Sequence, residues 1–353
     1  MKRLYIFLFA LSMMTLSASA QMSWSKSIQT KVDDVFKSKP IPGIIVGVSI
    51  NGRHSFFTAG FADKENRIPF TQTTQFEIGS ITKTFTAYLL EAVLEKKKVL
   101  DTTSLTRFLP DSIAANKSIS TIQFIQLLNH TSGLPRLPDN LSTKGNFFQP
   151  YANYRKEDLY YYLSKAKIKN TGKDNYSNLG LGLAGVLAEN ISGKPYEVLL
   201  KKYISKPFKL KNTGIYAAEK SNKAVGYFDK QIAPYWDMSV LVGAGGIKSD
   251  ATDMLTYLDY IVEHTSKPLI ASVLQKTVMI DNNTHIAKGW HINDKNNETH
   301  FFWHNGGTYG FSTFCAFNPK NKNCIIIAIN SFSKNLIVDQ LGFELMGTLL
   351  DQK

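Results

Sequence analysis

Phe76-Glu77-Ile78-Gly79-Ser80-Ile81-Thr82-Lys83 joins a strand-like run to a long amphipathic helix pattern. Ser80 stands three residues before Lys83, and residues three apart share a helix face. A serine needs an adjacent base to become a good nucleophile, and a partly buried lysine with a lowered pKa supplies one. Ser-x-x-Lys also occurs at Ser23–Lys26 and Ser331–Lys334, but only Ser80 lies between a strand pattern and an amphipathic helix. Ser80 is therefore the candidate nucleophile, with Lys83 beside it.

The regions on either side of this stretch have clear periodic patterns. Gly43–Ile50 and His54–Phe61 are β-branched and aromatic runs separated by Asn51-Gly52, which is a strong hairpin pattern. Further helices are predicted at Leu179–Asn190, Asp250–Val262 and Leu336–Leu350. Further strands are predicted after His285, at Gly289–Ile292, His300–Trp303, Phe311–Phe317 and Cys324–Ile329.

Strands at both ends with helices between them predict the fold class. We expect an α+β protein, an α/β sandwich in which helices flank one antiparallel sheet. Residues 21–100 and 240–353 would build this α/β part, and residues 101–239 would be an inserted, all-helical subdomain. The groove between the two parts is the natural place for a site.

The first twenty residues have the pattern of a secretory signal peptide. Lys2 and Arg3 precede the apolar run Leu4–Leu16, and Ala18-Ser19-Ala20 resembles a cleavage site. The apolar run is too short for a comfortable membrane span. We therefore expect residues 1–20 to be removed, no stable membrane span afterwards, and a periplasmic location.

The composition is that of a globular enzyme with a basic surface. The chain of 353 residues has 43% hydrophobic and 20% charged residues and a net charge of +13, which suits an anionic substrate or envelope. No nucleic-acid motif accompanies the charge, and the seven histidines lack metal-ligand spacing, so neither partner is predicted. Cys315 and Cys324 flank the turn-like Asn318-Pro319-Lys320-Asn321; symmetric pairing would set them opposite each other, as a disulfide or as two buried thiols.

A Ser-Lys pair also needs a proton shuttle, for which Tyr176-Ser177-Asn178 is the candidate. It immediately precedes the helix at Leu179. A nearby lysine ammonium favours the phenolate, so Tyr176 is predicted to act as a general base toward Ser80. The similar Tyr151-Ala152-Asn153 starts no comparable helix and is discounted.

The third candidate segment is Trp303-His304-Asn305-Gly306-Gly307, at the end of a late strand. Paired glycines let a backbone approach a ligand closely. The backbone N–H groups of Gly307 and Ser80 are predicted to form an oxyanion hole. His304, Asn305 and Gly306 are predicted to contact the substrate.

In this order the three segments resemble the motifs of class C β-lactamases and DD-peptidases, the penicillin-recognising serine hydrolases. Phe76–Lys83 resembles their active-site segment, Tyr176-Ser177-Asn178 their Tyr-x-Asn motif, and His304-Asn305-Gly306 their Lys-Thr-Gly or His-x-Gly box. The resemblance covers essentially the whole mature chain. It is supported by Pro42-Gly43, Leu127–Leu134, Lys211-Asn212-Thr213 and Gly243-Ala244-Gly245-Gly246.

The resemblance implies a β-lactamase/transpeptidase-like fold and a two-step acyl-enzyme reaction without metal or organic cofactor. Ser80 would attack a carbonyl while Lys83 and Tyr176 take its proton. Tyr176 would then protonate the leaving nitrogen and later activate a water. Asn178 would bind the substrate amide and help to orient Lys83.

Three residues depart from the class C pattern. Thr82 stands where serine or alanine is usual, and His304 replaces a lysine. A histidine has an ordinary pKa of about 6.5 and is mostly neutral at pH 7, which weakens a carboxylate anchor. Asn305 in place of threonine removes a hydroxyl. The family's DD-peptidases and esterases tolerate histidine at the position of His304.

The predicted function is therefore that of an exported serine hydrolase acting on a cyclic or D-Ala-type amide. The small-molecule substrate would be a β-lactam or a D-Ala-containing peptide, with peptidoglycan as a further partner, and the chain is expected to be a monomer. An esterase or D-amino-acid amidase of the same family is one alternative. A non-turnover penicillin-binding protein is the other.

Overall fold

The strands predicted at the two ends of the chain form one antiparallel sheet. The computed structural model describes residues 24–142, 145–217, 222–295 and 298–350. Its strands are β1 (Gly43–Ile50), β2 (Arg53–Gly60), β3 (Phe76–Glu77), β4 (Gly226–Phe228), β5 (Gln231–Ala233), β6 (Lys248–Ser249), β7 (Val278–Asp281), β8 (Thr284–Ile286), β9 (His291–Lys295), β10 (Glu298–Gly307), β11 (Ser312–Asn318) and β12 (Asn323–Ile329). In the described part of the chain, the main sheet has the order β2-β1-β12-β11-β10-β9-β8-β7.

Helices cover this sheet and fill the region between its two halves. Residues 24–38 are helical and are called α1. The other helices are α2 (Thr82–Lys97), α3 (Asp111–Ala114), α4 (Lys117–Ser120), α5 (Phe124–Leu128), α6 (Lys156–Lys165), α7 (Asn178–Ser192), α8 (Tyr196–Leu200), α9 (Ala251–Glu263), α10 (Pro268–Leu274) and α11 (Asn335–Leu350). The predicted α+β class with a helix-flanked antiparallel sheet is confirmed.

Each face of the sheet packs on its own set of helices because successive residues of a strand point to opposite sides. On β12, Ile325 and Ile327 share a core with residues of α1 and α11. Ile326 and Ala328 belong to the larger core, which includes α2, α7 and α9. The larger core extends into the region between the sheet halves. The site lies where that region meets β10.

The region of residues 101–239 is mainly helices and loops, but it is not all-helical. β4 and β5 pair within it, with Gly226 opposite Ala233 and Phe228 opposite Gln231. The short strands flank Asp229, which has a positive φ of 53° and is followed by Lys230. The reading of this region as wholly helical is corrected by that hairpin.

The two cysteines are not opposite each other. Cys315 lies opposite Ile326, and Cys324 lies opposite Phe317. The register differs from symmetric pairing because Asn318 pairs with Asn323 across a longer turn. Both thiols are buried and free.

The predicted signal peptide, residues 1–20, lies outside the described residues. Within those residues, none of the helices combines the length and the apolar character needed to cross a membrane.

Candidate active site

Ser80 lies in a 3-10 turn, Gly79–Ile81, from which α2 starts at Thr82. The Lys83 Nζ atom is 2.9 Å from Ser80 Oγ and donates a hydrogen bond of 2.7 Å to the carbonyl oxygen of Ala244. The Lys83 side chain is fully buried. Burial, and secondarily the charge of Arg136, lowers the pKa of Lys83 well below its ordinary value. Both effects favour the uncharged amine, and its nitrogen lies within hydrogen-bond distance of the Ser80 hydroxyl.

A close backbone approach brings the end of β10 against this turn. Gly79 has a positive φ of 52°, and a Cβ atom on it would lie 2.6 Å from the backbone nitrogen of Gly307. A side chain at Gly306 would collide with the carbonyl oxygen of Ile78. Glycine at these positions therefore lets the Gly307 N–H group lie next to the nucleophile turn.

Tyr176 is held at the start of α7 by a fixed cap. The Ser177 hydroxyl accepts a hydrogen bond from Gly180 N at 2.9 Å and donates one to the carbonyl oxygen of Pro135 at 2.7 Å. The Tyr176 hydroxyl is hydrogen bonded to Ser80, and Lys83 Nζ lies 4.8 Å from the Tyr176 ring centroid. The structure thus brings Ser80, Lys83 and Tyr176 together.

The protonation of Tyr176 differs from the sequence-based expectation. Burial raises the pKa of Tyr176 to about 12, although the hydrogen bond to Ser80 and the charge of Arg136 act in the opposite direction. The expected shift of Tyr176 toward the phenolate is therefore not found, because burial outweighs the hydrogen bond and the charge of Arg136. Tyr176 rests as a phenol, which makes it a proton donor first.

Asn178 contacts a residue that the sequence analysis discounted. The Tyr151 hydroxyl is hydrogen bonded to the Asn178 side chain, and burial raises the pKa of Tyr151 to about 12. Tyr151 also packs edge-on against Trp236, with ring centroids 5.3 Å apart. The Asn178 Oδ1 atom is buried without a partner among the described residues. The predicted orienting contact from Asn178 to Lys83 is absent from the contacts of those residues, where Ser80 and Ala244 hold Lys83.

His304 and Asn305 are neighbours in β10 and therefore face opposite sides of the sheet. The Asn305 Nδ2 atom donates to both carboxylate oxygens of Asp339 in α11, at 3.0 and 2.8 Å. That side chain belongs to the α11 face, so the prediction that it contacts substrate is withdrawn. His304 lies on the side of the sheet that faces Tyr176, and the centroids of the two rings are 6.5 Å apart.

His304 presents an acceptor, not a cation. Its Nδ1 atom lies 2.5 Å from the carbonyl oxygen of Asn305 and must donate to it, since a carbonyl only accepts. The Nε2 atom then carries a lone pair, and it is buried without a partner among the described residues. Burial, followed by the nearby His291 and Lys83, lowers the pKa of His304 well below its ordinary value.

Two further imidazoles surround the site. His130 packs against Tyr176 with ring centroids 4.5 Å apart, and its Nδ1 atom accepts a hydrogen bond of 3.1 Å from Ser177 N. His291 lies 5.1 Å from the His304 ring, and burial lowers its pKa to about 4. In the described part of the chain, no group of three His, Cys, Asp or Glu side chains could hold a metal ion. The two imidazole rings therefore line the site with pKa values lowered by burial.

Comparison with known proteins identifies the family of the chain. The family model described as Beta-lactamase matches residues 28–341. The chain belongs to the beta-lactamase family. A beta-lactamase of Providencia stuartii is 29% identical over 263 residues, which are 73% of this chain and 64% of that protein. A beta-lactamase of Yersinia enterocolitica is 25% identical over 365 residues, covering 91% of this chain and 90% of that protein.

Two further similar proteins are a peptidase and a solved structure. The D-alanyl-D-alanine-carboxypeptidase/endopeptidase AmpH of Escherichia coli (strain K12) is 25% identical over 238 residues, 66% of this chain and 61% of that protein. A class C beta lactamase structure from Rhodobacter sphaeroides superposes with a TM-score of 0.80 at 23% identity, covering 92% of this chain and 99% of that chain. The predicted family and its fold are confirmed.

Glu77 forms hydrogen bonds to two loops beside the site, although the sequence predicted no role for it. Its Oε1 atom accepts from Trp236 N at 2.6 Å, and its Oε2 atom accepts from the Thr308 hydroxyl at 2.7 Å. Burial raises the pKa of Glu77, and the charge of Lys248 opposes this shift. Glu77 thereby couples the residue after Gly307 to the strand that precedes Ser80.

An apolar cavity of about 510 Å³ lies beside the site. Phe147 and Tyr309 line it, and their rings stack with centroids 5.3 Å apart. Tyr309 also meets Trp236 edge-on, with ring centroids 5.0 Å apart. Tyr309 stands two residues after Gly307, so the lining of the cavity is continuous in the chain with the end of β10.

Proposed function

We propose that this member of the beta-lactamase family is an exported serine hydrolase that forms an acyl-enzyme on Ser80. Its substrate would be a cyclic or D-Ala-type amide, as in β-lactams and D-Ala-containing peptides. The observation that carries the proposal is the buried Lys83 amine 2.9 Å from Ser80 Oγ, whose pKa burial holds well below its ordinary value. A lysine without a carboxylate partner, placed on a serine hydroxyl, has the geometry of a general base.

In the first step Ser80 Oγ adds to the amide carbonyl carbon, and its proton passes to Lys83 Nζ. The backbone N–H groups of Ser80 and Gly307 stabilise the oxyanion. The Tyr176 phenol protonates the leaving nitrogen as the carbon–nitrogen bond breaks, and the Lys83 ammonium then returns a proton to Tyr176. Both groups are thereby restored to their resting forms while the acyl group remains on Ser80.

In the second step a water adds to the ester carbonyl. Its proton passes through Tyr176 to Lys83, and the tetrahedral intermediate collapses with loss of Ser80 Oγ, which recovers a proton. The same two groups therefore serve both half-reactions, with no metal or organic cofactor assigned a role.

Substrate recognition would rest on two unpartnered acceptors of the site. Asn178 Oδ1 and His304 Nε2 are both buried without partners among the described residues. Unsatisfied buried acceptors are costly, so a ligand that supplies N–H donors would be favoured. An amide next to the scissile bond offers such a donor, and the apolar cavity at Phe147 would take its acyl group.

An esterase is the second candidate function. The neutral His304 favours it, because the family's usual lysine cation is missing at that position and an ester needs no carboxylate anchor there. Export to a periplasm, removal of residues 1–20, a monomeric state and access to peptidoglycan remain proposals that follow from the sequence.

Steady-state hydrolysis of three substrates separates these functions. We expect purified protein to hydrolyse a penicillin or an acyl-D-Ala-D-Ala peptide, with Ser80→Ala inactive on both. Turnover of p-nitrophenyl esters alone would assign an esterase. A slow, stoichiometric reaction with penicillin, without turnover of any substrate, would assign a penicillin-binding protein. If none of the three substrates reacted, the proposal would be refuted.

A further inference from the structure

A fixed positive charge lies beside Tyr176, although position 304 carries none. The Arg136 guanidinium carbon is 5.1 Å from the Tyr176 ring centroid, and the Arg136 side chain is exposed. Among the described residues, no carboxylate forms a salt bridge with it. An arginine is charged at all working pH values.

The backbone of Arg136 is fixed to the catalytic segment. Its carbonyl oxygen accepts hydrogen bonds from Asn178 N at 3.0 Å and from Leu179 N at 3.2 Å, at the start of α7. The neighbouring Pro135 carbonyl accepts the Ser177 hydroxyl. The backbone of Arg136 is thus tied to the segment that carries Tyr176, and its guanidinium lies over the Tyr176 ring.

Three other basic side chains of the site, Lys83, Lys248 and His304, offer no free cation to an anion. Lys83 is fully buried, and its Nζ atom is already engaged by the Ser80 hydroxyl and the Ala244 carbonyl oxygen. Lys248 is buried and donates to three backbone carbonyls. His304 presents a lone pair. A guanidinium stacked on an aromatic ring, in contrast, keeps its N–H edge free for a bidentate bond to a carboxylate.

We propose that Arg136 determines substrate specificity by binding an anionic group, a carboxylate, of the substrate. This inference rests on the proposed function of the Ser80 site and adds the charge of the substrate to it. The anchor for the anion has moved from the position of His304 on β10 to the loop that precedes α7.

The test compares a carboxylate substrate with its neutral methyl ester at the same carboxyl group. For Arg136→Gln, the ratio of kcat/KM for the carboxylate to kcat/KM for the ester should fall about 10- to 100-fold relative to the unaltered chain. Arg136→Lys should recover part of the ratio, because lysine keeps the positive charge but cannot form the bidentate hydrogen bonds of a guanidinium. Arg107→Gln is the matched control: Arg107 is exposed over Phe108 at 5.7 Å, far along the chain from the site motifs.

An equal loss on both substrates would overturn the inference, since it would mean that Arg136 acts only through Tyr176 and Lys83. Absence of turnover of either substrate by the unaltered chain would instead count against the proposed function. Calorimetric binding of an N-arylacetyl-D-alanine and its carboxamide needs no turnover. Tighter binding of the carboxylate that disappears in Arg136→Gln supports the anchor, and equal binding of the two ligands by the unaltered chain refutes it.

Discussion

Gly79→Ala tests whether close approach of Gly307 to the nucleophile turn matters for the reaction. The added Cβ atom would lie 2.6 Å from the Gly307 nitrogen, whereas non-bonded atoms need about 3.5 Å, so β10 and the turn must separate by ~0.9 Å. A misplacement of about 1 Å at reacting groups can lower a rate about 100-fold. We expect kcat/KM to fall by roughly that factor, and the fold to persist.

The control for this variant separates backbone strain from the collision. Gly193 also has a positive φ, 69°, but nothing lies within 4 Å of a Cβ atom placed on it. Both variants should therefore lose about 1 kcal/mol of unfolding free energy from the left-handed conformation, and Gly79→Ala should lose more. Acylation rates come from stopped-flow measurements with a chromogenic β-lactam or activated ester, and stability from urea unfolding. Unchanged acylation in Gly79→Ala would refute the argument.

Three further predictions follow from the contacts of the site. The pKa of Lys83 is lowered in the folded protein, so the neutral amine exists above that pKa and is lost as the pH falls through it. Acylation should therefore decline on acidification, and a pH-independent rate profile would contradict this. Lys83→Arg, which is protonated at all working pH values, should abolish acylation. Tyr151→Phe should lower kcat/KM about 10-fold by releasing Asn178, with the melting temperature nearly unchanged; equal kinetics would show that the contact is only structural. Asn305→Ala should cost about 1 kcal/mol of unfolding free energy because it removes both hydrogen bonds to the half-buried Asp339 carboxylate. The acylation rate constant should stay within about threefold, and a collapse of that rate would restore Asn305 to the substrate-binding set.

Features that depend on short-range sequence could be predicted well. The Ser80–Lys83 spacing fixes a shared helix face, and Asn51-Gly52 fixes the β1–β2 hairpin. The helix predicted from Asp250 begins where expected, since the Asp250 side chain accepts from Asp253 N at 2.7 Å and α9 starts at Ala251. In each case the deciding contact lies within a few residues, so the local pattern determines it.

Features that depend on tertiary packing could not be predicted in the same way. Tyr151 reaches Asn178 only because the loop before α6 folds back over the site, and no local pattern encodes that approach. The protonation of Tyr176 follows from its burial, which outweighs the neighbouring charges. The direction of Asn305 was within reach, because adjacent strand residues face opposite sides and only one of His304 and Asn305 could face Tyr176.

Intact-protein and peptide mass spectrometry after rapid quenching tests the acyl-enzyme on Ser80 most directly. With a penicillin or an acyl-D-Ala-D-Ala peptide, one acyl group should appear on the peptide that contains Ser80, at a rate that rises with pH as Lys83 loses its proton. Ser80→Ala should carry none. A covalent adduct on another residue, or substrate turnover that persists in Ser80→Ala, would contradict the account.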